Sequence, residues 1–101
     1  MKSYSPTSPG RRQAKGVDFS QLTGDRPHKP LLKRLKSHAG RNSQGRITMR
    51  HQGGGNKKLY RMVDFKQNRL GIKAHVTTIE YDPYRTAFIA LVNYPDGTQA
   101  Y

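Results

Sequence analysis

The sequence predicts an all-β protein: a small antiparallel barrel, or an open piece of one, preceded by a basic extended arm. Three observations carry that prediction. Short β-rich runs separated by turn signals fill the second half of the chain. No helical apolar period lasts beyond a turn or two. The apolar residues are also unevenly spread: of 18 Leu, Ile, Val and Phe among 101 residues, 11 fall between Leu59 and Val92. So small an apolar fraction with so high a charge leaves the first part of the chain without material for a core.

Taken in order, residues 1–45 read as the arm. They are rich in Pro, Gly, Ser and Arg, with Pro6, Pro9, Pro27 and Pro30 as punctuation. Ten Lys and Arg stand between positions 2 and 41, and a basic extended segment of this kind orders on nucleic acid. One helical pattern interrupts it. In HKPLLKRLKSH (28–38), Leu31, Leu32 and Leu35 share a face and Pro30 suits a first helical position. A pattern of one or two turns is a docking segment or a solvated linker.

Residues 46–101 read as the barrel domain. RITMRH (46–51) alternates Ile47 and Met49 with Arg46, Thr48 and Arg50, which predicts a strand with both arginines on one face. LYRMVDFK (59–66) is the next strand, and Phe65 in it reads as core, as does Phe88 further on. IKAHVTTIEY (72–81) is rich in β-branched residues and stops at Asp82-Pro83, with Asp82 as a turn cap. TAFIALVNY (86–94) is apolar on both faces and predicts a central strand. PDG (95–97) is a hairpin turn leading into TQAY (98–101). That last arm is short, so the barrel is expected to be incomplete at its C-terminal end.

Charge points to the partner. Nineteen Lys and Arg against six Asp and Glu give +13 and a pI near 10.5. Residues 1–73 carry a net +15, and residues 74–101 a net −2. Between Asp25 and Asp64 no carboxylate occurs. A chain so self-repelling needs a polyanion, and nucleic acid is the default. A membrane fits less well, because no basic stretch has a long apolar face. The N-terminus has no apolar signal core, and the absence of cysteine fits a reducing compartment.

The segment RHQGGGNKKLYR (50–61) decides what kind of phosphate is bound. A Walker loop needs GxxxxGK[ST] followed by a helix. Here Lys57 follows Gly55 by two positions, no Ser or Thr comes after it, and the next element is a predicted strand. Two readings remain. One is a plain flexible hairpin loop. In the other, Gly53, Gly54 and Gly55 let backbone lie against a sugar-phosphate chain, Lys57 and Lys58 neutralise phosphates, and His51 and Asn56 supply hydrogen bonds or stacking. Arg41, Arg46, Arg50 and Arg61 flank the loop, and Tyr60 is the aromatic placed to stack a base. His28, His38, His51 and His75 lack metal-ligand spacing, no nucleophile–base pair is present, and neither metal, cofactor nor small-molecule substrate is implied.

These same residues carry a resemblance. SPTSPGRR (5–12), GRNSQGRITMRHQGGGNKKLYRMVDFK (40–66), IEYDPYRTAFIAL (79–91) and YPDGTQAY (94–101) resemble large-subunit ribosomal protein L-two of the bacterial type, over nearly the whole chain. The resemblance implies an N-terminal extension plus an OB-type barrel held against large-subunit rRNA, in a cytoplasmic or organellar ribosome among neighbouring ribosomal components. It implies no enzyme activity. The rRNA contacts it implies are Arg11 and Arg12 in the arm, Arg41, Asn42, Arg46, Arg50 and His51, the three glycines, and Lys57, Lys58, Tyr60 and Arg61. The family's second, SH3-like barrel has no counterpart in these residues. The chain departs from the family's usual His at Asn56, its frequent Arg at Gln52 and Gln67, and its Asn at Tyr84. A free-standing OB-type binder of single-stranded nucleic acid is the alternative.

Overall fold

A computed structural model describes residues 1–24 and 26–101. Among these residues, seven short strands form three antiparallel sheets, and helix is almost absent. The fold is all-β, as the sequence predicts, but the sheets do not close into a barrel among the described residues. The molecule is a plate of 50 × 49 × 21 Å with a radius of gyration of 18.9 Å, where a compact chain of this length would have about 13 Å.

The central sheet has the order β5-β6-β7, with β5 at His75–Glu80, β6 at Ile89–Asn93 and β7 at Gln99–Ala100. The doubly apolar segment is thus the middle strand, as its sequence predicts. Thr78, Ile79 and Glu80 pair with Leu91, Ala90 and Ile89, and a register shift between Val76 and Thr78 bends the outer end of β5. The PDG turn closes β6 onto β7: Gly97 N–H donates to the Tyr94 carbonyl at 2.9 Å, and Tyr94 N–H to the Thr98 carbonyl at 2.9 Å. The Asp96 carboxylate accepts the Thr98 N–H at 3.0 Å, the leading cause of its lowered pKa, and pairs with Arg69 at 2.7 Å.

Only two large apolar residues among those described are buried, Leu91 and Tyr101, and two acids are buried as well, Glu80 and Asp82. A core this small cannot hold the plate by apolar burial alone. Tyr101 compensates by tying three segments together. Its hydroxyl donates to Glu80 Oε2 at 2.6 Å and accepts the His28 N–H at 2.7 Å. Its carbonyl accepts the Asp64 N–H at 2.9 Å. The other Glu80 oxygen accepts from Thr78 Oγ1 at 2.9 Å.

The arm is pinned along this sheet. Thr23 N–H donates to the Ile79 carbonyl at 3.0 Å, and Ile79 N–H donates to Thr23 Oγ1 at 2.8 Å, which covers the outer edge of β5. Phe19 packs edge-on against Tyr81 and, at 6.1 Å, against the half-buried Phe88. Upstream, β1 (Lys2–Ser3) pairs with β2 (Lys15–Gly16) around a single helical turn, α1 (Pro9–Gln13). Ser8 caps that turn and Pro9 opens it. The sequence pattern misses α1 because the turn buries nothing.

Three expectations need correction. Residues 28–38 form no amphipathic helix: Lys29–Leu31 make one 3-10 turn, and the chain then enters β3 (Leu32–Lys33), which pairs with β4 (Tyr60–Arg61). The strand expected over 59–66 shrinks to β4 itself, and Phe65 beyond it is 72% exposed rather than core. RITMRH is not a strand. Its one ladder contact is the bridge Arg41↔Ile47, and Ile47 and Met49 are exposed. Alternation selects a strand only where a second layer covers one face, and nothing covers this one.

Replacing Tyr101 with Phe removes one donor and one acceptor from the buried network. We expect a loss of about 1–3 kcal/mol in chemical denaturation at neutral pH. Burial, then the bond to Glu80, pushes the Tyr101 pKa up to about 12 from an ordinary value of 10. The folded state therefore holds the proton more tightly than the unfolded state. That contribution is complete below pH 10 and is lost as pH rises towards 12. The stability difference between wild type and Tyr101→Phe should shrink over that interval; a pH-independent difference would contradict the network.

Candidate nucleic-acid interface

Residues 41–59 are exposed throughout and run as one long loop between the Gly40 carbonyl and β4. Its geometry starts at Gly40, whose φ of 73° favours glycine. The Gly40 carbonyl accepts the N–H groups of Thr48 at 2.9 Å and Met49 at 3.2 Å. A Cβ at this position would stand 2.2 Å from the Met49 carbonyl oxygen. Asn42 then folds the loop's first bend: its Oδ1 accepts the N–H groups of Gln44 and Arg46, each at 3.0 Å. The sequence expectation gave Asn42 an RNA contact; in the structure its side-chain oxygen is engaged in holding the turn.

This bend replaces the predicted strand, so Arg46 and Arg50 are not aligned on a strand face. Both lie in the exposed loop. Arg41 leans back along it, with Nη1 donating to the Ala39 carbonyl at 2.6 Å. His51, Gly53, Gly54 and Gly55 all have positive φ, at 60°, 112°, 79° and 81°. Around Gly54 and Gly55 an added Cβ would meet no protein atom within 4 Å. Glycine there serves the backbone path and leaves the peptide surface bare. Lys57 follows, exposed, and the Lys58 ammonium lies 5.6 Å from the centre of the Tyr84 ring.

The loop ends in β4, where side chains become half-buried. Tyr60 meets Tyr84 edge-to-face at 5.7 Å. Arg61 Nη1 donates to the Leu59 carbonyl, while its buried Nε has no partner among the described residues. Arg11 and Arg12 sit apart from this group, in the last turn of α1, with the Arg11 guanidinium 5.1 Å from the Tyr4 ring.

Several residues on this face were not legible as functional. Asp82 is fully buried and does cap its turn, accepting the Tyr84 N–H at 2.9 Å. It also pairs with Arg85. Arg85 is the sole Lys or Arg after Lys73, and bonds to Asp82 first and the Tyr60 hydroxyl second raise its pKa. Its position three residues after Asp82 was the available signal. No helix among the described residues is long and apolar enough to cross a membrane, and no three His, Asp or Glu converge there as a metal site.

An exposed cationic loop set on a small β scaffold has the charge and shape expected of a nucleic-acid-binding domain. The family model described as Ribosomal Proteins L2, RNA binding N-terminal domain, matches residues 28–101. The chain belongs to that family, which is one of ribosomal RNA-binding proteins and not of enzymes. The match includes the whole loop, β4 and the central sheet, and begins at the His28 that the Tyr101 hydroxyl holds.

Gly40→Ala should release the root of the loop. The left-handed torsion alone costs an alanine roughly 1–2 kcal/mol, before the clash with Met49. We expect faster amide exchange at Thr48 and Met49 with protection across β5 and β6 retained. Unchanged exchange at those two amides would contradict this account of the loop.

Proposed function

We propose that the chain is a structural constituent of the large ribosomal subunit, fixed by phosphate contacts of its arm and its glycine-rich loop to large-subunit rRNA. The observation that carries this reading is the uncompensated charge of residues 41–61. The ion pairs among the described residues are Arg69–Asp96 and Arg85–Asp82, and neither engages a loop cation. Arg41, Arg46, Arg50, Lys57 and Lys58 are thus exposed and without an ion pair, Arg61 stands half-buried where the loop ends, and His51 is a further donor. The bare peptide at Gly54 and Gly55, with Gly53 leading into it past Ala39, lets a sugar-phosphate chain come close. Asn42 acts through the bend it holds, and Tyr60 lies where the loop returns to the scaffold.

In this reading residues 1–45 are the arm, with Arg11 and Arg12 as its phosphate contacts, and residues 46–101 are the OB-type unit. Recognition is by charge and shape. Lysine and arginine on a backbone read no sequence, and A-form RNA exposes little sequence to side chains outside its loops and bulges. The ribosome is of bacterial or organellar type, with neighbouring ribosomal components as further partners.

The test is sedimentation. A tagged full chain should travel with the large subunit when a cell lysate is spun through a sucrose gradient. Lys57→Ala combined with Lys58→Ala should move a measurable part of it to the top of the gradient while the β signal in circular dichroism persists. Wild-type chain found only at the top would overturn the ribosomal reading in favour of a free single-strand binder. Loss of β signal in the double variant would make the loop structural.

A further inference from the structure

The face beside the loop holds a row of flat groups that the phosphate reading does not use. Tyr84, Tyr60, the Arg85 guanidinium and Phe65 follow one another in contact. Tyr84 and Tyr60 centroids are 5.7 Å apart at 67°. The Arg85 guanidinium carbon lies 5.5 Å from the centre of Tyr60 and 5.2 Å from that of Phe65. Lys58 closes the far end against Tyr84. The row is rigidly rooted: Arg85 pairs with Asp82, which is fully buried, and its Nη2 donates to the Tyr60 hydroxyl at 3.4 Å. Tyr60 is half-buried between its neighbours, whereas Phe65 is 72% and Tyr84 42% exposed.

From this arrangement we infer that Phe65 and Tyr84 are a stacking platform for unpaired bases of the bound RNA, with Tyr60 and Arg85 as its support. The inference deepens the proposed rRNA-binding reading and rests on it. The exposed Phe65 ring, flush with a guanidinium and in line with two tyrosines, offers a flat face that a stacked base would cover. The only partner matched to the surroundings is a polyanion carrying flat rings. Lys58 lies against Tyr84, and Lys57, Arg61 and Lys66 flank Tyr60 and Phe65 along the chain. The one exposed acid there, Asp64, is occupied in accepting the Gln67 N–H at 3.2 Å. Every base has a face to offer, so stacking of this kind is tolerant of sequence. The guanidinium adds a weakly hydrated planar cation flush with the rings. Sequence reasoning favoured Tyr60 as the stacking residue; its half-burial between Tyr84 and Arg85 makes it the support instead. Tyr84 is one of the positions at which the chain departs from the family it resembles.

Two probes separate stacking from phosphate contact: single-stranded oligoadenylate of about 12 nucleotides, whose bases are free, and a fully paired RNA duplex of the same length. Full-length Phe65→Leu and Tyr84→Leu keep an apolar side chain and remove the ring. Each should weaken oligoadenylate binding by roughly 5- to 150-fold, the range spanned by loss of one stacked base. Duplex binding should change by less than about twofold, because its backbone contacts are untouched. Phe65→Trp places the chain's sole tryptophan on the platform, and its fluorescence should be quenched by oligoadenylate but not by duplex. Equal losses on both probes, no loss on oligoadenylate, or an unquenched tryptophan would each overturn the platform. Unaltered duplex binding in those cases would leave the phosphate reading standing; weak wild-type binding to both probes would remove the two together.

Discussion

Like-charge repulsion is the constraint on which the rest of this structure depends. Residues 1–73 carry 18 basic side chains and three acids, and a chain so charged cannot collapse on itself without a counter-charge. The plate-like dimensions follow from this. So does the exposure of every residue from 41 to 59. The cations are kept apart on loops and short hairpins, and the few acids are spent within the scaffold. Asp82 neutralises Arg85, Asp96 neutralises Arg69, and Glu80 takes the Tyr101 hydroxyl.

The scaffold stays ordered with very little apolar burial because its polar groups are paired. Buried carboxylates are costly unless every oxygen finds a donor. Glu80 and Asp82 satisfy that rule, and their bonds reach the arm at His28 through Tyr101, β4 through Arg85 and Tyr60, and the turn at Tyr84. The same residues that close the core therefore fix the edge of the interface. A rigid sheet on one side and an unpaired cationic loop on the other is the division of labour that phosphate binding needs.

The sequence disclosed the parts governed by composition and by strongly patterned segments. Net charge pointed to a polyanionic partner, the doubly apolar run 86–94 became the central strand, and Asp-Gly at 96–97 made the hairpin. What it concealed was tertiary. Alternation in RITMRH is the same whether or not a second sheet covers it, and here Asn42 and Gly40 fold the segment into a bend instead. Phe65 sits in a run that reads as core, yet its ring lies outside, beside a guanidinium contributed from 20 residues later. Arg85 carries no sequence signal of its own, because it falls in the part of the chain with almost no basic residues. The pairing of arm residues Leu32 and Lys33 with β4 depends on a register that no local pattern encodes.

The central claim is that phosphate supplies the missing counter-charge, and salt dependence tests it most directly. Binding of the full chain to a large-subunit rRNA fragment should weaken linearly in log K against log salt. Each phosphate contact contributes about −0.7 on single strands and about −0.9 on duplex, so the five loop cations together with Arg61 on phosphate give a slope of roughly −4 to −5. A slope shallower than about −1 would mean that the loop's charges do not meet phosphate, and would contradict the account.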